Sequence, residues 1–200
     1  MSLLVQTGRC RPLDMLINGT YDDEHGASLP SGVTKGIVMF NLKYLENHGF
    51  GGFIPLLETE LAGRIPSQPG VYAVLAEGRE EPAFAGLSWG GRFKGKDPTV
   101  DRSILRSKFV GGCETVYIGR ATRLDRRVHL LARFGRGEPV AHWGGRYLWQ
   151  LERPESLRVA WRVEADPVEA EASLLDDFET AFGQLPFANL IRGNRSLAHA

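Results

Sequence analysis

Cysteine is scarce in this chain. Cys10 and Cys113 are the only two in 200 residues, too few for a secreted disulfide scaffold and too far apart for paired zinc ligands. That usage predicts a reducing, cytoplasmic setting. Long apolar runs are also missing. Residues 1–15 are interrupted by Arg9, Arg11 and Asp14, and no later stretch approaches the roughly 20 apolar residues of a membrane span, so neither a signal-peptide core nor a spanning helix is expected. Repeats and low-complexity tracts are absent, which excludes solenoids and disordered arrays. No serine or cysteine is framed as a hydrolase nucleophile, and the glycine-rich residues 86–95 lack the lysine ending of a phosphate loop. What remains is ordinary globular composition, 42% hydrophobic and 24% charged, in a length that suits one domain with an appended arm.

Net charge is the last absence, with 24 Lys+Arg against 24 Asp+Glu. The charges are not evenly spread. Residues 91–136 hold twelve basic side chains and four acidic ones, which leaves twelve basic and twenty acidic elsewhere. A positive middle in an otherwise acidic chain is the footprint of phosphate contact, and a solvated face that balances the remainder is the plainer alternative.

Residues 1–68 read as an amino-terminal extension without assignable chemistry, carrying turn signals at Asn18-Gly19, His25-Gly26 and Pro30-Ser31-Gly32 and apolar stretches at 36–45 and 53–61. The domain proper is expected over 69–200. Residues 71–75 form a first strand and 114–118 a second, separated by a long excursion at about 78–113 that includes a short helix near 103–109. Thr122-Arg123-Leu124-Asp125 reads as a capping box that starts a helix at Arg123, with Leu124, Val128, Leu131 and Phe134 as its apolar stripe and Gly135 as its stop. Residues 146–151 and 157–163 read as two more strands. A second helix opens at Asp166-Pro167-Val168-Glu169 and closes at Gly183.

That second helix holds an oddity. At about 100° per residue, Leu174, Leu175, Phe178 and Phe182 define an inward face with Glu171 at its centre, while Asp176 and Asp177 project away. An ionised carboxylate on a buried face needs a cation, a metal or hydrogen-bond donors; a glutamate bending to solvent from a frayed first turn is the bland reading.

Gly70-Val71-Tyr72, followed by Tyr117-Ile118-Gly119, then Arg120, Arg127, Glu171-Ala172-Ser173-Leu174-Leu175 and Pro186-Phe187-Ala188-Asn189, resembles the GIY-YIG nuclease family, the catalytic domain of excision-repair incision subunits and homing endonucleases. The resemblance covers about residues 70–189, in family order. It implies an α+β fold in which a small antiparallel sheet is flanked by helices, with residues 78–113 a long insertion between the first two core strands. It also implies a phosphodiesterase site. Arg127 would fork onto non-bridging phosphate oxygens, and Glu171 would hold one Mg²⁺ (or Mn²⁺). Tyr117, with Tyr72 beside it, would orient or deprotonate the attacking water. Arg120 or the metal would lend positive charge to Tyr117, and Asn189 would brace the site by hydrogen bonds. The implied partner is nucleic acid, DNA ahead of RNA.

Two departures accompany the match. The gap from Tyr72 to Tyr117 is longer than the family's, and so is the spacing from Glu171 to Asn189, which leaves Asp176 or Asp177 as alternative metal ligands. His142 and Trp143, beside Arg146, are candidates for base contact. Two further functions stay open. One is a nucleic-acid-binding module that has lost catalysis. The other is an interaction domain with coincidental tripeptides, which non-adjacent strands for Tyr72 and Tyr117 would favour.

Overall fold

The computed structural model describes residues 40–58, 63–78 and 81–192, all of which belong to one compact unit; expectations placed on residues 1–39 lie outside the described residues. In chain order the elements are α1 (Leu42–Asn47), β1 (Gly51–Pro55), β2 (Gly70–Leu75), α2 (Arg102–Lys108), β3 (Thr115–Ala121), α3 (Leu124–Gly135), β4 (Arg158–Val163) and α4 (Pro167–Phe182). Two 3-10 segments, Trp143–Gln150 and Pro154–Ser156, precede β4. The four strands form one antiparallel sheet in the order β1-β4-β2-β3. This is the coarse α+β class read from the sequence.

Strand alternation divides the core in two. Tyr72, Val74, Tyr117 and Val159 leave the sheet on one face, where Leu124, Val128, Leu131 and Phe134 of α3 meet Leu148 and Trp149. Val71, Ala73, Ile118 and Ala160 leave on the other, against Leu174, Leu175 and Phe178 of α4 and Phe40 and Leu45 around α1. The extension read over 1–68 therefore supplies sheet and core: β1 pairs with β4, and the Phe40 carbonyl accepts from the Thr115 amide and hydroxyl. Residues 81–113 do intervene between paired strands, and α2 lies where a short helix is expected.

Three local expectations are corrected. Residues 146–151 are not a strand, because the 3-10 segment Trp143–Gln150, kinked at Gly145, buries Tyr147, Leu148 and Trp149 together. The capping box does not form. Arg123 is the N-cap, its guanidinium holds Asp125 at 2.7 Å, and the free first-turn amides of Leu124 and Asp125 donate to the carbonyls of Gln68 and Pro66. Nor is Gly135 a left-handed stop. Arg136 caps the helix at φ −82°, and a Cβ on Gly135 would meet the Trp149 ring at 2.4 Å, so glycine is there to admit an indole. By contrast α4 opens and closes as read: the Asp166 carboxylate accepts from the amides of Val168 and Glu169, and Gly183 ends the helix at φ 74°.

Candidate functional site

β2 and β3 are adjacent and antiparallel, with Tyr72 opposite Gly119 and Val74 opposite Tyr117. The two tyrosines are thus diagonal neighbours on one face, their ring centroids 5.9 Å apart. Gly119 makes this possible, since a Cβ there would lie 2.8 Å from the Tyr72 hydroxyl and 2.9 Å from the Tyr117 ring. That adjacency removes the observation that would have favoured coincidental tripeptides.

Arg127, one turn into α3, brings its charge to both phenols and lowers the pKa of each, and the two tyrosines also act on one another. Burial raises the Tyr72 pKa well above the usual value, Tyr117 adds to the rise, and the Arg127 charge opposes it. Burial raises Tyr117 too, again against Arg127, with Glu171 adding a smaller push upward. Both phenols are therefore protonated at neutral pH.

Glu171 is 8% exposed, so the carboxylate does not bend away to solvent. It accepts from Arg120 at 2.6 Å. Burial raises its pKa, and the charges of Arg120 and Arg127 pull it back only in part. Alternation along β3 sends Arg120 to the opposite face from Tyr117, and β3 is an edge strand. The Arg120–Glu171 pair and the phenol cluster thus lie on opposite faces of the same edge strand, and the charges of Glu171 and Arg127 couple them. Of the two sources of positive charge expected for Tyr117, Arg120 or the metal, Arg120 is not among the main charges that act on the phenol, whereas Arg127 is and lowers its pKa. Asp176 is paired with Arg192, and Asp177 is exposed, so neither replaces Glu171 in the cluster.

Asn189 acts on the backbone. Its amide accepts from the Ile118 N–H at 2.9 Å and donates to the Ile118 carbonyl at 2.8 Å, bracing β3 beside Tyr117. On a free edge these are the groups a fifth strand would satisfy.

The sequence reading missed the part His142 plays. It is fully buried, its Nε2 lies 3.2 Å from the Tyr72 hydroxyl, and its Nδ1 has no hydrogen-bond partner. Burial first, then the Arg127 charge, lowers its pKa to about 3, so it is a neutral imidazole beside the first tyrosine. The one signal in the sequence is the unusual run His142-Trp143-Gly144-Gly145-Arg146, and full burial removes His142 from the base contact expected of it. Trp143 is half-buried with the Arg146 guanidinium 4.9 Å from its ring.

Beside the cluster opens a cleft of about 410 Å³ lined by Arg120, Arg123, Arg126, Arg127, Pro167 and Val168 among others. Four guanidinium side chains from β3 and the start of α3 face the first turn of α4, where helix dipoles add positive potential. Such a wall suits phosphate oxygens.

Glu171 is the buried carboxylate that could hold a single divalent cation, in exchange for its pairing with Arg120. Among the described residues no three His, Cys, Asp or Glu side chains gather as a ligand set. Among the described residues Glu171 is the one buried carboxylate, its pKa raised by burial against the pull of Arg120, and a hard cation that keeps most of its waters requires few protein oxygens. No helix among the described residues is long and apolar enough to cross a membrane. No protein-family model, curated protein or solved structure matches the chain, so the site rests on its own geometry.

Proposed function

We propose that the chain is a metal-dependent endonuclease of the GIY-YIG type, hydrolysing phosphodiester bonds of DNA, ahead of RNA, with one Mg²⁺ or Mn²⁺. The supporting observation is convergence. Arg127 reaches both phenols at one end of an arginine-lined cleft, with a buried carboxylate around the same strand edge.

Arg127 would present its fork of donors to the non-bridging oxygens of the scissile phosphate, where charge builds as water attacks phosphorus and the P–O ester bond breaks. Arg123 and Arg126, exposed beside it, would take flanking phosphates. Tyr117, a protonated phenol, orients the attacking water through its oxygen lone pairs. Tyr72 keeps the His142 ring 3.2 Å from its hydroxyl and stands in the field of Arg127. Glu171 would hold the cation, which would supply charge neutralisation at the phosphate and a more acidic water.

Supercoiled and branched DNA incubated with Mg²⁺, with and without EDTA, tests this. The expectation is cleavage by wild type that EDTA abolishes, and a rate at least about 100-fold lower in both Arg127→Ala and Glu171→Ala. Cleavage unchanged in both variants would sink the assignment. A second reading, a module that binds nucleic acid without cutting it, is favoured by the 2.6 Å pair in which Arg120 already occupies the Glu171 carboxylate. Tight binding by wild type with no cleavage under either metal selects it.

A further inference from the structure

The inserted segment between β2 and β3 presents two large apolar side chains to solvent: Leu87 is 74% exposed and Trp89 is 58% exposed. They are not on a loose loop. The Trp89 amide donates to the Trp149 carbonyl at 2.8 Å, the Gly91 amide to the Phe134 carbonyl at 2.8 Å, and the Ala85 amide to the Gln150 carbonyl at 2.9 Å. Ser88 is fixed from both sides, its amide donating to the Thr99 hydroxyl and its own hydroxyl accepting from the Gly90 amide. Gly90 lies so close to Phe134 that a Cβ would meet that ring at 2.5 Å, and a Cβ on Gly91 would meet the Glu138 carbonyl at 1.9 Å. The backbone under Trp89 is thus clamped to the end of α3, and a ring on a clamped backbone binds a flat partner with little further loss of entropy.

The surroundings say which partner. Arg92, Lys94 and Lys96 follow Trp89 directly and are exposed. Phe134, under Gly90, is 6.4 Å from the Trp143 ring, and a Cβ on the next residue, Gly144, would lie 3.9 Å from the Tyr117 hydroxyl. A chain of neighbouring residues therefore leads from the phenols to Trp89. The arginine cleft flanks the other end of α3, about 18 Å away at 1.5 Å per residue. A rigid exposed indole followed by cations, seated at the end of the helix whose start lines the arginine cleft, has the make-up of a stacking platform for single-stranded nucleic acid.

We propose that Trp89 stacks on an unpaired nucleobase and that the insertion makes the protein prefer nucleic acid with a single-stranded stretch over continuous duplex. This deepens the nuclease reading and rests on it for the strand's placement, but it is read out by binding, not by cutting. Labelled oligonucleotides, one a continuous duplex and one a duplex with a single-stranded gap, are titrated with the full chain in EDTA, following anisotropy and tryptophan fluorescence. Wild type is expected to bind the gapped substrate more tightly and to lose part of its fluorescence on doing so. Trp89→Ala should weaken gapped binding about tenfold, leave duplex binding unchanged and remove the quenching, while Trp89→Phe should keep most of the affinity. Leu87→Ala should bind as wild type does.

Equal affinity of wild type and Trp89→Ala for the gapped substrate overturns the proposal. So does an equal loss in Leu87→Ala, which would mark a general apolar patch for a protein partner. So does wild type that binds neither oligonucleotide. Trp89-dependent binding in a protein that never cleaves would retain this proposal and remove the nuclease reading; cleavage without Trp89 dependence would do the reverse.

Discussion

Gln150 and His142 are both buried polar side chains at the 3-10 segment between α3 and β4, and they are used in opposite ways. The Gln150 amide uses both of its N–H groups and its oxygen. It donates to the carbonyls of Val100 at 2.8 Å and Ala85 at 3.2 Å, and it accepts from the Val100 amide at 3.0 Å. It pins the insertion to the body of the protein. The imidazole of His142 instead meets one partner, the Tyr72 hydroxyl, and leaves Nδ1 unsatisfied. Full satisfaction is how buried polarity specifies structure; a buried polar group with capacity to spare carries a cost that stability alone does not explain. The contrast separates the scaffold from the candidate chemistry within a few residues of chain.

Three substitutions break or sharpen that contrast. Gln150→Ala has the largest expected effect on stability, about 3 kcal/mol, from three lost hydrogen bonds and the buried backbone groups of Val100 and Ala85 left behind. Chemical denaturation measures it. Cleavage per folded molecule should stay within about twofold of wild type, and a specific collapse of catalysis would erase the distinction.

His142 gives a pH-dependent effect. Its folded pKa of about 3 lies below the ordinary 6.5, so the unfolded chain binds the extra proton first as pH falls. The stability held by the neutral ring is complete above about pH 6.5 and declines toward pH 3. The decline is up to about 1.4 kcal/mol per pH unit, or about 2 kcal/mol by pH 5. His142→Gln, which keeps an acceptor for Tyr72 but cannot titrate, should flatten this part of the Tm-against-pH curve. An unchanged slope would show that other groups set it.

The smallest effect belongs to Asn189→Ala, between about 1 and 2 kcal/mol for two half-buried hydrogen bonds to the β3 edge. If Asn189 braces Tyr117 through the strand, kcat should fall several-fold with KM nearly unchanged. A change in KM alone would point to direct substrate contact.

Where physics is local, the chain was legible. The Asp166-Pro167 start and the Gly183 stop of α4 depend on groups a few residues apart, and helical spacing alone placed Glu171 on the buried face. Where a distant partner decides, sequence reading failed. The first turn of α3 is satisfied by the carbonyls of Pro66 and Gln68 rather than by its own side chains, and Gly135 answers to Trp149. Residues 51–55 read as part of an extension because nothing near them announces that β4 lies alongside. In the site, Tyr72, Tyr117, Arg127 and Glu171 could be nominated by residue type and order. The Arg120–Glu171 pair and the Tyr72–His142 contact span 51 and 70 residues of sequence and have no local signature.

The sequence by itself determined the α+β class, the two amphipathic helices and the chemical types available for a site, because periodicity and capping act over a few residues. Only the tertiary structure decided which of those groups meet. Burial and strand register bring a phenol to an imidazole, a guanidinium to two phenols and a carboxylate to an arginine, and the proton affinities of all of them follow from that company.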